Sequence, residues 1–177
     1  MDRFERLASA LRRIPGLEVR ENEPMKRHTT FRIGGPARLM ALPRSRKEAA
    51  AAVRAATEAG IAPFFLGNGS NLLVADHGYE GFVLKACGLD QVREVNRRLR
   101  AESGITLARL ANAALGRGLT GLEFAHGIPG TLGGAVVMNA GAYGGEMVQV
   151  LTAVTYLDGA GEEHTLPAAA CALTYRH

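Results

Sequence analysis

The chain has 177 residues, 47% apolar and 21% charged, with 22 glycines, no Trp and a formal net charge of +4. That balance fits an aliphatic folded core and excludes a disordered polymer, and no apolar run approaches the ~18 residues that a membrane-spanning helix needs. The arginines are scattered among acids without interleaved aromatics, so a nucleic-acid face is not expected, whereas a small anionic ligand would suit the surface. Cys87 and Cys171 lie far apart, and neither they nor the five histidines show metal-ligand spacing. The charged N-terminus lacks a secretory h-region, so a cytoplasmic protein that uses no membrane is expected.

In chain order, Phe4, Leu7, Ala8, Leu11 and Ile14 recur at helical spacing, and Pro15-Gly16 ends that helix. Residues 20–27 read as a polar linker. The stretch from Thr29 to Ile33 reads as a short strand turned by Gly34-Gly35-Pro36, and Ala37 to Leu42 reads as a second. Ser45 with Glu48 predicts a capping box, opening an Ala-rich helix that Gly60 terminates. Phe64-Phe65-Leu66 then predicts a buried strand, completing a βαβ-like unit. Two short strands, Leu72-Leu73-Val74 and Phe82-Val83-Leu84, flank a turn at Asp76-His77-Gly78. A hairpin is expected within 89–103 and a Thr106-capped amphipathic helix follows. Residues 148–157 predict one strand, turned by Asp158-Gly159-Ala160-Gly161 into another. The class is α+β. It divides into an N-terminal helix and linker (1–27), a first lobe (28–88) and a second lobe (89–177).

Two glycine-rich segments carry the chemistry. Gly67-Asn68-Gly69-Ser70-Asn71 leaves the end of a strand, and positive φ at glycine lets successive N–H groups converge on phosphate oxygens. A Rossmann loop would need a third glycine and a following helix, and a P-loop would need Gly-Lys-Ser/Thr; neither occurs here. Spacing alone leaves an ordinary turn and a phosphate nest equally open. On the nest reading, Gly69→Val should weaken ligand binding far more than stability. Gly127-Ile128-Pro129-Gly130-Thr131-Leu132-Gly133-Gly134 continues into Asn139-Ala140-Gly141. So much glycine in apolar sequence is costly for folding. Either a close-lying ligand or a tightly packed loop accounts for it. His28 and His126 are candidates to lie near such a site. Thr174-Tyr175-Arg176 ends in a guanidinium suited to hold a carboxylate or stabilise developing negative charge.

Several of these runs occur in an order that resembles the UDP-N-acetylenolpyruvoylglucosamine reductase family. They are Asn22-Glu23-Pro24-Met25, then His28-Thr29-Thr30-Phe31-Arg32-Ile33-Gly34-Gly35-Pro36-Ala37, the stretch from Leu66 to Val74, the stretch from Gly121 to Gly145, and Thr174-Tyr175-Arg176. The resemblance implies a two-lobed FAD-binding domain of the vanillyl-alcohol-oxidase type, with FAD between the lobes. It implies that NADPH reduces FAD and that hydride then passes to the enolpyruvyl group of a UDP-sugar, a step of peptidoglycan precursor synthesis. Carried over, Gly67, Asn68, Gly69, Ser70 and Asn71 bind the pyrophosphate. Ile128, Pro129, Gly130, Thr131, Gly133, Gly134 and Ala140 lie along the flavin, Tyr175 lines the substrate pocket, and Arg176 is catalytic. The family's later serine proton donor and catalytic glutamate have no counterpart before His177, so a truncated, inactive chain is expected. The alternatives are another FAD oxidase or dehydrogenase of the same fold, or a non-catalytic nucleotide-binding module.

Overall fold

The computed structural model describes residues 2–174. Residues up to Leu89, with Leu157–His164, form one compact unit. Asp90–Tyr156, with the described residues from Thr165 onward, form a second.

The first unit opens with α1 (Arg3–Arg12). Asp2 Oδ1 accepts from Glu5 N at 2.8 Å, and Glu5 Oε2 accepts from Asp2 N at 2.8 Å. This reciprocal capping box satisfies donors that would otherwise be orphaned. Strands β1 (Glu18–Pro24) and β2 (Pro36–Leu42) pair antiparallel. The polar linker expected at 20–27 is thus mostly strand. Its alternation is masked because one face of β1 carries charged side chains into a polar cluster described below.

Helix α2 (Arg46–Glu58) is capped by Ser45, whose Oγ accepts from Glu48 N at 3.2 Å. Glu48 does not close the expected box, because its carboxylate accepts from Arg44 N and Ser45 Oγ instead. Gly60, at φ +66°, ends the helix as expected. Strands β3 (Pro63–Leu66) and β4 (Tyr79–Lys85) complete a four-stranded sheet of order β1-β2-β4-β3, in which β2, β4 and β3 run parallel. The β2-α2-β3 crossover is therefore opened by β4, which inserts between its strands.

α1 and α2 cover one face of the sheet. Phe4, Leu7, Leu11, Val53 and Ala56 pack there against Leu39, Ala41, Phe82 and Leu84. Leu11 is fully buried, so Leu11→Ala should cost about 2–5 kcal/mol. Chemical denaturation should show this as a lower midpoint, and an unchanged midpoint would remove α1 from the core. The other face is covered by irregular chain, with Met25, Ala37, Met40, Leu66, Val74 and Val83 forming a second cluster.

Three strand expectations fail here, each for a physical reason. Residues 29–33 form a turn: Arg32 has φ +56°, its N donates to Thr29 O at 3.2 Å, and Phe31 and Ile33 stay exposed. Residues 72–74 form no ladder, because Val74 pins irregular chain onto the sheet while Ala75 O accepts from Gly35 N and Gly78 N. Phe64-Phe65-Leu66 is a strand, but only Leu66 of the three is buried. β3 lies at the sheet edge, and Phe65 is 59% exposed.

The second unit begins with the hairpin β5 (Val92–Val95) and β6 (Arg98–Ala101). It is closed by Asn96 and Arg97 at φ +51° and +55°, the geometry of a two-residue type I′ turn. Helix α3 (Leu107–Leu115) is capped by Thr106 as expected. A short helix α4 (Leu132–Val137) and the two-residue strands β7 (Gly141–Ala142) and β8 (Gly145–Glu146) follow. Leu107, Phe124, Ala125, Ala135 and Met147 form this unit's core. The strand expected at 148–157 is only its second half, β9 (Ala153–Leu157), preceded by a 3-10 turn at Met147–Gln149. β9 pairs with β10 (Glu163–Pro167) through a turn in which Asp158 Oδ1 accepts from Ala160 N and Glu162 N, both at 2.9 Å.

Candidate functional site

In the first unit the 67–71 loop leaves the carboxyl end of β3, beside the parallel β4. Ligands of open sheets with parallel strands bind outside such carboxyl ends. Asn68 and Asn71 are exposed, Gly67 and Ser70 are half-buried, and Gly69 is buried at φ +65°.

Gly69 has a second constraint that spacing did not show. A Cβ at this position would lie 2.1 Å from His28 O and 2.9 Å from Thr29 Cα. Thr30 N donates to Gly69 O at 3.2 Å. The turn at 29–33 is therefore the seat of the glycine loop, and backbone touches backbone there. Gly35 repeats the pattern, since its Cβ would meet Asp76 O at 2.1 Å. The expectation that Gly69→Val would spare stability is thus overturned. A side chain at Gly69 strikes the protein before it strikes any ligand. An open groove of about 410 Å³ runs along the same seat, lined by Lys26, Arg32, Ile33 and Asp76 among others, and the 67–71 loop is not part of its wall.

Beneath the seat lies a polar cluster that the sequence did not reveal. His28 Nε2 is 2.8 Å from Glu23 Oε1, and His28 Nδ1 is 2.9 Å from Lys85 Nζ. Arg20 donates to Glu23 Oε1 at 2.9 Å and to Glu18 Oε1 at 2.6 Å. Burial pushes the His28 imidazole below its ordinary value of 6.5; Glu23 opposes this and Lys85 reinforces it. Burial alone would raise Glu23, but hydrogen bonds from His28 and Arg20 outweigh it and hold the carboxyl below 4.5. Burial also lowers Lys85 and raises the neighbouring Cys87 thiol. Glu23 and Lys85 sit far apart in sequence, on strands that β2 separates, and the His28 ring bridges them. No sequence signal pointed to the cluster, because Glu23 lies in a polar run and Lys85 is a lone charge at the end of an apolar one.

In the second unit the glycine-rich segment is built into backbone ladders. Thr131 bridges Thr106, Leu107 N donates to Gly130 O at 3.2 Å, Leu132 N to Ile105 O at 2.9 Å and Gly133 N to Ser103 O at 2.8 Å. The first amides of α4 are therefore already satisfied by protein. Thr131 is 3% exposed, so its hydroxyl is not presented at the surface. Ile128 and Ala140 are half-buried against the core of this unit, and Pro129 is exposed. Asn139, 1% exposed, donates to Glu146 Oε2 and accepts from Val148 N, both at 2.9 Å, tying β7–β8 to the turn after it.

Close packing explains some of these glycines. A Cβ on Gly133 would lie 2.8 Å from Ser103 Cβ, and one on Gly145 would lie 2.7 Å from the Phe124 ring. It does not explain Gly134, which is exposed and whose Cβ would find nothing closer than Thr131 Oγ1 at 3.8 Å. Gly127 likewise has open space beside it. The structure thus sorts one glycine-rich run into residues the fold requires and residues it does not. His126 is exposed at the start of the run. Tyr175 and Arg176 lie outside the described residues.

A protein family described as "FAD binding domain" matches residues 37–167. A UDP-N-acetylenolpyruvoylglucosamine reductase from Caldanaerobacter subterraneus subsp. tengcongensis is 53% identical over 137 residues, covering 77% of this chain and 45% of that protein. The enzyme of the same name from Moorella thermoacetica is 46% identical over 171 residues, covering 97% of this chain and 57% of that protein. The chain spans about half the length of the curated relatives it matches. A solved structure of UDP-N-acetylenolpyruvylglucosamine reductase from Thermus caldophilus is similar at TM-score 0.73 and 35% identity, over 90% of this chain and 55% of that one. A chitooligosaccharide oxidase is similar at TM-score 0.70 and 15% identity, over 92% of this chain and 37% of that one, a likeness of fold alone. Among the described residues, no helix is long and apolar enough to cross a membrane.

Proposed function

The chain belongs to the FAD binding domain family, and from that premise we propose that it is the cofactor-binding part of a UDP-N-acetylenolpyruvoylglucosamine reductase. The observation that carries the reading is the 67–71 loop, held with Gly69 at φ +65° at the carboxyl end of a parallel strand. It presents small polar residues, Asn68 and Asn71, at the surface. In this reading Gly67, Asn68, Gly69, Ser70 and Asn71 take the pyrophosphate. The residues that fit a close-lying flat group best are Gly127 and Gly134, where the protein leaves the space of a side chain unused. Ile128, Pro129 and Gly130 contribute wall, and Thr131 and Ala140 support them from within. Tyr175 would line the substrate site, and Arg176 would stabilise negative charge beside the substrate carboxylate. FAD, when bound, would supply hydride transfer between NADPH and the enolpyruvyl group of the UDP-sugar. A cytoplasmic location goes with that substrate.

The cofactor reading is tested by titrating FAD with the purified chain. Saturable quenching of flavin fluorescence and retention of the ~450 nm band through desalting are expected. No retention overturns FAD binding. The activity is tested on this chain joined to the remaining half of a full-length reductase, which under anaerobic conditions should turn over NADPH beyond one equivalent per FAD only when the enolpyruvyl substrate is present. Retained FAD without that dependence would overturn the reductase assignment and keep the cofactor.

A further inference from the structure

We propose that Glu23, His28 and Lys85 form a proton-controlled latch that fixes the seat of the glycine loop. The inference about the loop stands on the first unit alone; its consequence for binding rests on the FAD reading.

The hydrogen-bond logic fixes the tautomer. Glu23 is held ionised by Arg20, and a carboxylate only accepts, so Nε2 of His28 carries the proton. In the neutral ring Nδ1 is then an acceptor, and Lys85 donates to it. A second proton on Nδ1 would turn that acceptor into a donor facing Lys85, and would place two cations 2.9 Å apart. The ring cannot hold both partners when charged. Its other neighbours do not relieve this. Arg20, held by Glu18, adds positive charge from β1, and Cys87 beyond β4 is a thiol whose ionisation burial opposes.

The same residue's backbone meets the loop. His28 O faces Gly69 at a distance that excludes a side chain, and Thr30 two residues on donates to Gly69 O. Side chain and carbonyl of one residue thus connect the ends of β1 and β4 to the 67–71 loop. Neutral His28 keeps the latch closed; its protonation breaks the Lys85 bond and loosens the seat. The sign follows from linkage: a base held neutral by the fold contributes fully above pH 6.5, and its contribution is lost as pH falls below that value.

The test is an NMR titration of the whole chain. His28 should show the Nε2–H tautomer and a midpoint below 6.5, and the Gly69 and Thr30 amide shifts should follow the His28 midpoint. Lys85→Met should move that midpoint up, by on the order of one pH unit, while Lys85→Arg should keep it low. The FAD dissociation constant should rise about tenfold as pH crosses the His28 midpoint, and in Lys85→Met the rise should move with it. A His28 that titrates at or above 6.5, or a Gly69 amide indifferent to it, overturns the latch. If Lys85→Met does not fold, the wild-type titration decides alone. A pH-independent dissociation constant alongside a responsive Gly69 amide overturns the link to binding. A chain that takes up no FAD at any pH overturns the cofactor reading, while the amide titration still judges the latch.

Discussion

Gly69→Val is expected to remove both the fold of the loop and cofactor binding. Its Cβ would lie 2.1 Å from His28 O, well inside contact, and neither backbone can yield without breaking the Thr30–Gly69 hydrogen bond. The φ of +65° adds a strain of roughly 1–2 kcal/mol for a residue with a side chain, more for a β-branched one. Together these should cost about 3 kcal/mol or more, against a total stability of ~5–15 kcal/mol for an ordinary domain. Denaturant midpoint and FAD retention should fall together. A variant that keeps its midpoint would show that the 29–33 turn does not seat the loop.

Gly134→Ala is expected to do the opposite, and it separates ligand from packing. The position is within α4, exposed, with open space for a methyl. Replacing a helical glycine by alanine should raise stability by roughly 0.5–1 kcal/mol. If a flavin lies against this backbone, the same methyl intrudes on it, and FAD affinity should fall about tenfold or more. The paired readout is a higher denaturant midpoint with a weaker FAD titration. Unchanged FAD affinity would remove Gly134 from the site and leave its glycine without a ligand-based reason.

The pattern of these two residues shows what the sequence holds and what it does not. Local rules located α1, α2 and α3, with Ser45, Gly60 and Thr106 at their ends, because caps and 3.6-residue periodicity act over a few neighbouring residues. The order of motifs pointed to an FAD-binding fold of α+β class, and the family match agrees. Strands were less legible. Residues 29–33 and 72–74 carry apolar side chains as short strands do, yet the first is a turn with Phe31 and Ile33 exposed and the second lays Val74 on a sheet face without joining it. Residues 20–24 look like a linker, yet they are paired in β1. A strand is made by its partner, and the partner is distant in sequence.

The sequence by itself determined that two glycine-rich runs matter and that their neighbours belong to one family. It did so because glycine is costly unless backbone must approach something closely. Only the tertiary structure decided what that something is at each position. For Gly69 and Gly133 it is protein, at His28 and Ser103; for Gly127 and Gly134 the space is left open. The same holds for His28, whose neutral state depends on Glu23 and Lys85 being brought together by β1 and β4. Sequence states which residues are small or titratable, while the distance between backbones, or between a ring nitrogen and an ammonium, exists only once the chain has folded.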